Sequence, residues 1–157
     1  MDRVPMTPEG HAALQAELKH HLEVLRPKIV KDIEEARAHG DISENSEYED
    51  AKERQAFLEG RMRELESQLA AAQVIDPSKL RSDRVIFGAT VSMEDTETGE
   101  AMTYQIVGVH EADVASGRIS CTSPIARALI GRSEGDVVKV RVPKGEREIE
   151  ITGIRFV

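Results

Sequence analysis

Glu35-Ala36-Arg37-Ala38-His39-Gly40-Asp41-Ile42-Ser43-Glu44-Asn45-Ser46-Glu47-Tyr48 joins two long helical patterns through only a few residues. On the N-terminal side, apolar residues recur at Leu14, Leu18, Leu22, Leu25, Ile29, Ile33 and Ala36. On the C-terminal side they recur at Ala51, Leu58, Met62, Leu65, Leu69 and Ala72. Steps of three and four residues place each set on one face of a helix. Two such stripes joined by a short connection predict an antiparallel coiled-coil hairpin. About 30 residues per arm, at 1.5 Å each, give a rod of roughly 45 Å. Asp41 and Glu44 would then sit at its far end.

The ends of the rod carry ordinary helix signals. Thr7 suits an N-cap, and Pro8 suits the first helical position, where its missing N–H costs nothing. Gly40 suits the stop of the first helix, since a left-handed residue without a Cβ is unstrained. Pro27 interrupts the first stripe and removes one backbone hydrogen bond, so a kink or local loosening is expected there.

After Asp76-Pro77 the pattern changes to alternation and β-branched residues. Strands are expected over 89–93, 102–109, 118–122, 137–142 and 148–156, with hairpin turns at Thr98-Gly99 and Lys144-Gly145. One short helix is expected over 124–130, closed by Gly131. The fold class is α+β: a coiled-coil hairpin over 1–76, then a small antiparallel sheet with one short helix over 77–157. Residues 74–84 form the link between the two.

Composition narrows the function classes. Of 157 residues, 32% are charged and 3% aromatic, with no Trp, which fits long solvated helices better than one large globular core. The net charge of -8 is uneven, because residues 1–76 hold 17 Asp and Glu against 10 Lys and Arg. So acidic a half does not bind bare nucleic acid by charge alone; a protein partner with a basic surface fits better. The single cysteine, Cys121, excludes an internal disulfide and a cysteine-based zinc finger. It lies in a strand pattern and reads as a small apolar residue. With a polar N-terminus and no apolar run long enough for a membrane span, a cytoplasmic protein is expected.

Phosphate loops of the GxxxxGK[ST] and GxGxxG types and the HExxH zinc pair are absent from the sequence. The five histidines read as surface or boundary residues. Asp41-x-Ser43-x-Asn45 begins like a calcium loop, but Ser46 stands where that loop needs glycine and Lys52 where it needs a bidentate glutamate. The tip itself admits two readings. In one, Ser46 with Glu49 forms a capping box, Asp41 or Ser43 caps as well, and the acids complement the helix dipole. In the other, two carboxylates on a spike supply part of a metal site that another molecule completes, since magnesium wants six oxygens. Arg37, Lys52 and Arg54 stand close enough to guide a phosphate backbone, or else pair with Glu34, Glu49 or Asp50.

The same residues closely resemble the Gre family, the transcript cleavage factors of bacterial RNA polymerase. The resemblance runs through Glu35-Ala36-Arg37, Gly40-Asp41-Ile42-Ser43-Glu44-Asn45, Glu47-Tyr48 and Ala72-Gln73-Val74-Ile75-Asp76. It continues through Arg84-Val85-Ile86-Phe87-Gly88-Ala89-Thr90-Val91 and Ser123-Pro124-Ile125-Ala126-Arg127-Ala128-Leu129-Ile130-Gly131. It implies an N-terminal coiled coil, an FKBP-like C-terminal domain and a monomeric factor that is not itself an enzyme. The C-terminal domain would dock on the β′ coiled coil at the rim of the polymerase secondary channel, through Ser123, Pro124, Ile125 and Arg127. The hairpin would enter the channel, where Asp41 and Glu44 help to hold a second magnesium and to stimulate hydrolysis of backtracked RNA.

By the same resemblance, Arg37 and Lys52 match basic positions that contact the RNA 3′ end. Lys52 stands where other members carry Arg, keeping the charge without the bidentate fork. No cofactor is implied for the isolated chain; the magnesium is shared with polymerase. Inhibitory relatives carry extra acids at the tip, whereas here Asp-x-x-Glu is intact. The few basic residues on the hairpin favour the branch that releases short products. Prolyl isomerase activity is not expected, because this half has only Phe87, Tyr104 and Phe156 to line an aromatic pocket. A protein-binding adaptor and a free-standing nuclease remain the rivals. The first would make the carboxylates dispensable; the second needs three or four clustered ligands.

Overall fold

The computed structural model describes residues 2–40 and 46–157. They form two compact units, His11–Ala72 with Asp2, and Arg3–Gly10 with Gln73–Val157. Asp41, Ser43 and Glu44 lie outside the described residues.

The first unit is a helical hairpin. Its first arm comprises α1 (Pro8–His20, whose opening residues belong to the second unit), a π-helical turn at His21–Leu25 and α2 (Arg26–Ala38). The second arm is α3 (Ser46–Ala71). The loosening expected at Pro27 takes the form of this π turn, in which the Arg26 N–H reaches back five residues to the His21 carbonyl. A proline ring clashes with the carbonyl four residues earlier, and a widened turn at that place relieves the crowding. The turn adds a residue to the stripe. Leu22, expected on the inner face, is 46% exposed, and the partly buried His21 takes the inner side, with its Nδ1 2.8 Å from the Glu17 carbonyl.

The seam is a narrow cluster of Ile29, Ile33, Ala51, Leu58 and Met62, with Leu18, Leu25 and Tyr48 against it. Ion pairs cross from arm to arm on its flanks. Arg61 binds Glu17 through two nitrogens at 2.7 and 2.9 Å, Arg26 binds Glu59 at 2.9 and 2.7 Å, and Arg54 meets Asp32 at 3.3 Å. Partners that descend along α3 as they ascend the first arm establish the antiparallel course. The Arg61 guanidinium, by its hydrogen bonds, holds the Glu17 carboxyl below the usual carboxylate range. The first arm stops as expected, with Gly40 at φ +108°.

The second unit holds a five-stranded sheet in the order β5-β4-β3-β7-β6. Its strands are β3 (Thr90–Asp95), β4 (Ala101–Val107), β5 (Arg118–Ser120), β6 (Val137–Val142) and β7 (Gly145–Arg155). The sheet is mixed where an antiparallel one was expected, because β5 runs parallel to β4 with Ile106 opposite Ile119. Sequence alternation fixes which face a residue takes but not the direction of its neighbour. A helix, α4 (Pro124–Leu129), contributes Ala126 and Leu129 to a core that includes Val85, Val91, Met93, Ile106, Val138, Val140, Ile149 and Ile151. At the β3–β4 turn the Asp95 carboxylate accepts from the Glu97 and Thr98 N–H groups.

A two-stranded sheet was not anticipated: β1 (Val4–Met6) pairs with β2 (Ala72–Val74), and the Ile75 N–H continues the pairing to the Met6 carbonyl at 2.8 Å. Residues 3–10 are further fastened through Glu111. Its buried carboxylate accepts from the Thr7 N–H at 3.0 Å, the Gly108 N–H at 2.8 Å, Arg118 at 3.1 Å and the Thr7 hydroxyl. Thr7 also caps α1, as expected, accepting from the Gly10 N–H at 3.2 Å. A Cβ at Gly10 would run into the Glu111 carboxylate, and one at Gly108 into the Pro5 carbonyl.

Candidate functional site

The two carboxylates singled out by the sequence fall outside the described residues, so the site is built from what flanks them. Ser46 is already helical at the start of α3, and the acidic first turn carries Glu47 and Glu49. His39 at the end of the first arm lies 3.2 Å from Glu47, and Asp32, Glu35, Ala36, Asp50 and Arg54 complete a small acidic cleft with them. Among the described residues no group of three or more His, Cys, Asp or Glu side chains is placed to hold a metal ion.

The basic residues near the tip divide. Arg54 is held by Asp32 and, one helical turn away, by Asp50 at 3.4 Å, so structural pairing accounts for it. Arg37 lies over the Tyr48 ring, 6.0 Å from its centre, a cation–π arrangement that braces the guanidinium across the two arms. Lys52 contacts the Gln55 side-chain oxygen at 3.2 Å. Neither Arg37 nor Lys52 forms an ion pair among the described residues, and both are exposed. Two cations thus flank the end of the hairpin without a carboxylate partner among the described residues.

In the second unit, Ser123 is extended, with φ -67° and ψ 155°, as a residue before proline must be. Its hydroxyl caps α4 by accepting from the Ala126 N–H at 3.2 Å. Pro124 and Arg127 are exposed and Ile125 half-buried. Ser123, Pro124 and Ile125 form one wall of an apolar groove whose other walls are Tyr104, Val114, Ile119, Arg141, Val142 and Pro143. Of the residues singled out in the sequence, Ser123, Pro124 and Ile125 line this groove and Arg127 does not. Tyr104 is the one aromatic ring in the groove, which is not an aromatic-lined pocket. Cys121 packs against the sheet core, and burial pushes its thiol up, away from the reactive thiolate.

Two family models cover nearly the whole chain. "Transcription elongation factor, N-terminal" matches residues 4–74, and "Transcription elongation factor, GreA/GreB, C-term" matches residues 80–156. The chain belongs to the GreA/GreB family of transcription elongation factors. Among curated relatives, transcription elongation factor GreA of Anaeromyxobacter sp. (strain K) is 60% identical over 157 residues, covering 100% of this chain and 95% of its own. GreA of Hyphomonas neptunium is 59% identical over 156 residues, covering 99% of each chain. Among solved structures, GreA factor homolog 1 of Thermus thermophilus is 31% identical over 98% of this chain and 99% of its own, with a TM-score of 0.44. Membership of the GreA/GreB family rests on the sequence matches. No described helix is long and apolar enough to cross a membrane.

Proposed function

We propose that this chain enters the secondary channel of bacterial RNA polymerase and stimulates the polymerase's own cleavage of backtracked RNA. The observation that carries the reading is an intact Asp41-x-x-Glu44 at the bend of a hairpin, in a chain 60% identical to a GreA factor over its full length. The factor is not itself the catalyst. Asp41 and Glu44 are hard oxygen donors suited to magnesium, but two side chains fill only part of its six-oxygen shell, so polymerase supplies the remainder. A magnesium ion held there jointly would supply charge neutralisation at the phosphate and a bound water of lowered pKa.

The chain's own residues have distinct tasks in this scheme. Asp41 and Glu44 contribute ligand oxygens and orient the water by hydrogen bonding. Arg37, braced on Tyr48, and Lys52 draw the RNA 3′ end toward an otherwise acidic tip. The groove bounded by Ser123, Pro124, Ile125, Tyr104 and Pro143, with Arg127 on the exposed side of α4, receives the β′ coiled coil.

The test is RNA cleavage in a stalled, backtracked complex with magnesium, comparing wild type with Asp41→Ala and Glu44→Ala while polymerase binding is measured separately. We expect wild type to cleave and each variant to lose at least about 100-fold in rate with binding retained. Equal rates in all three would reduce the tip to helix capping.

A further inference from the structure

α3 carries three features on its outer side, an exposed ring, a glycine and a pair of acids, of which the first two do not serve an isolated helix. Phe57 is 82% exposed, the one large apolar side chain of this helix that is exposed among the described residues. One turn on, Gly60 stands mid-helix, where glycine is among the poorest helix formers, and a Cβ there would meet nothing within 4 Å. One turn before Phe57, Glu53 follows Glu49 at a spacing that sets like charges side by side. Neither glutamate forms an ion pair among the described residues. The exposed ring at Phe57 and the glycine at Gly60 contradict the element they sit in with no gain inside the fold, and such choices mark surfaces whose compensation comes from outside.

We propose that Phe57 is an aromatic anchor, and the bare backbone at Gly60 a close-approach point, by which α3 seats on a basic protein surface with an apolar recess in the polymerase wall. This rests on the function proposed above, which places the hairpin inside polymerase. The chemistry of the face selects the partner. Glu49 and Glu53 repel phosphate, which excludes RNA, and a second copy would bring the same acids against themselves. A protein wall carrying Lys or Arg beside an apolar pocket satisfies all three features. Aromatic side chains, Phe among them, are enriched in the buried cores of protein interfaces.

The experiment titrates full-length wild type, Phe57→Ala and Gly60→Ala onto core polymerase, reading binding by fluorescence anisotropy and cleavage at saturating factor. Thermal melts of the free proteins run alongside. For Phe57→Ala we expect about a tenfold or greater loss of affinity, a near-normal cleavage rate at saturation and an unchanged melt. For Gly60→Ala we expect a higher melting temperature in the free protein with several-fold weaker binding, opposite directions that a purely structural role cannot produce. Wild-type binding in both variants overturns the proposal, as does weakening that tracks a lowered melt. A Phe57-dependent dimer in sedimentation also overturns it. If Asp41→Ala binds but cannot cleave while Phe57→Ala behaves as wild type, the anchor fails and the cleavage reading stands. If wild type itself does not bind polymerase, both fail.

Discussion

The hairpin and the sheet unit solve opposite problems with the same alphabet. The hairpin has a seam little more than one side chain wide, closed on its flanks by Arg61–Glu17 and Arg26–Glu59, with side chains roughly one-third exposed. The sheet unit encloses a core in which Val85, Val91, Ile106, Leu129 and Ile151 are wholly buried. One of its buried carboxylates, Glu111, is satisfied by four donors. Local periodicity with exposed charge suffices for the hairpin, whereas the sheet depends on residues distant in sequence. The hairpin is therefore free to spend its surface on partners, and the sheet on holding its own shape.

The largest contrast should come from the two cores. We expect Ile151→Ala to cost about 4 kcal/mol, since wholly enclosed sites collapse poorly, and Met62→Ala to cost about 2 kcal/mol, because the thin seam can close over the loss. Regional hydrogen exchange reads each unit separately. Tyr48 in the hairpin and Tyr104 in the sheet, the only tyrosines in the chain, give a second local probe. Equal costs would mean the hairpin seam is as rigid as the sheet core.

Next is Glu111→Ala, which strands the Thr7 and Gly108 N–H groups. We expect about 2–3 kcal/mol of destabilisation, with faster exchange at residues 4–6 and 73–75 and little change in 46–71. Uniform loss across both units would break the distinction drawn here.

The smallest effect is electrostatic and separates the units by pH. The Asp95 carboxyl is held below the usual carboxylate range by the Thr98 N–H, then by Arg147 and the Glu97 N–H. A depressed folded value gives stability that is present above the unfolded aspartate pKa, about 4, and lost as pH falls through the lower folded value. We expect Asp95→Asn to flatten the acid limb of the sheet unit's melt and leave that of the hairpin unchanged. A hairpin melt that also shifts would refute it.

The same contrast explains what the sequence revealed. Both arms, the Thr7 cap, the Gly40 stop and strands close to all five of the expected segments were legible because each depends on near neighbours. The β1–β2 pair was not, because three residues around Pro5 are too few to show alternation and their partner strand begins at Ala72. The parallel course of β5 and the role of Glu111 were hidden for the same reason: a loop glutamate looks like any surface acid until Thr7 and Arg118 are brought to it. Leu22 misled by obeying the α period where the chain follows a wider one. Proline's effect on its neighbour made the extended Ser123 legible, while Tyr104 and Arg141 entered the groove only through the sheet's order.

That wider turn has a consequence for how the gene can vary. Removing one residue from an α-helix rotates everything beyond it by about 100° and would turn the tip-ward seam of Ile29 and Ile33 toward water. At His21–Leu25 the chain already carries one residue more than an α-helix needs. A single-codon deletion there would close the turn to ordinary α geometry and return the seam to register, against only the crowding at Pro27. Natural length differences in the first arm should therefore gather at this turn.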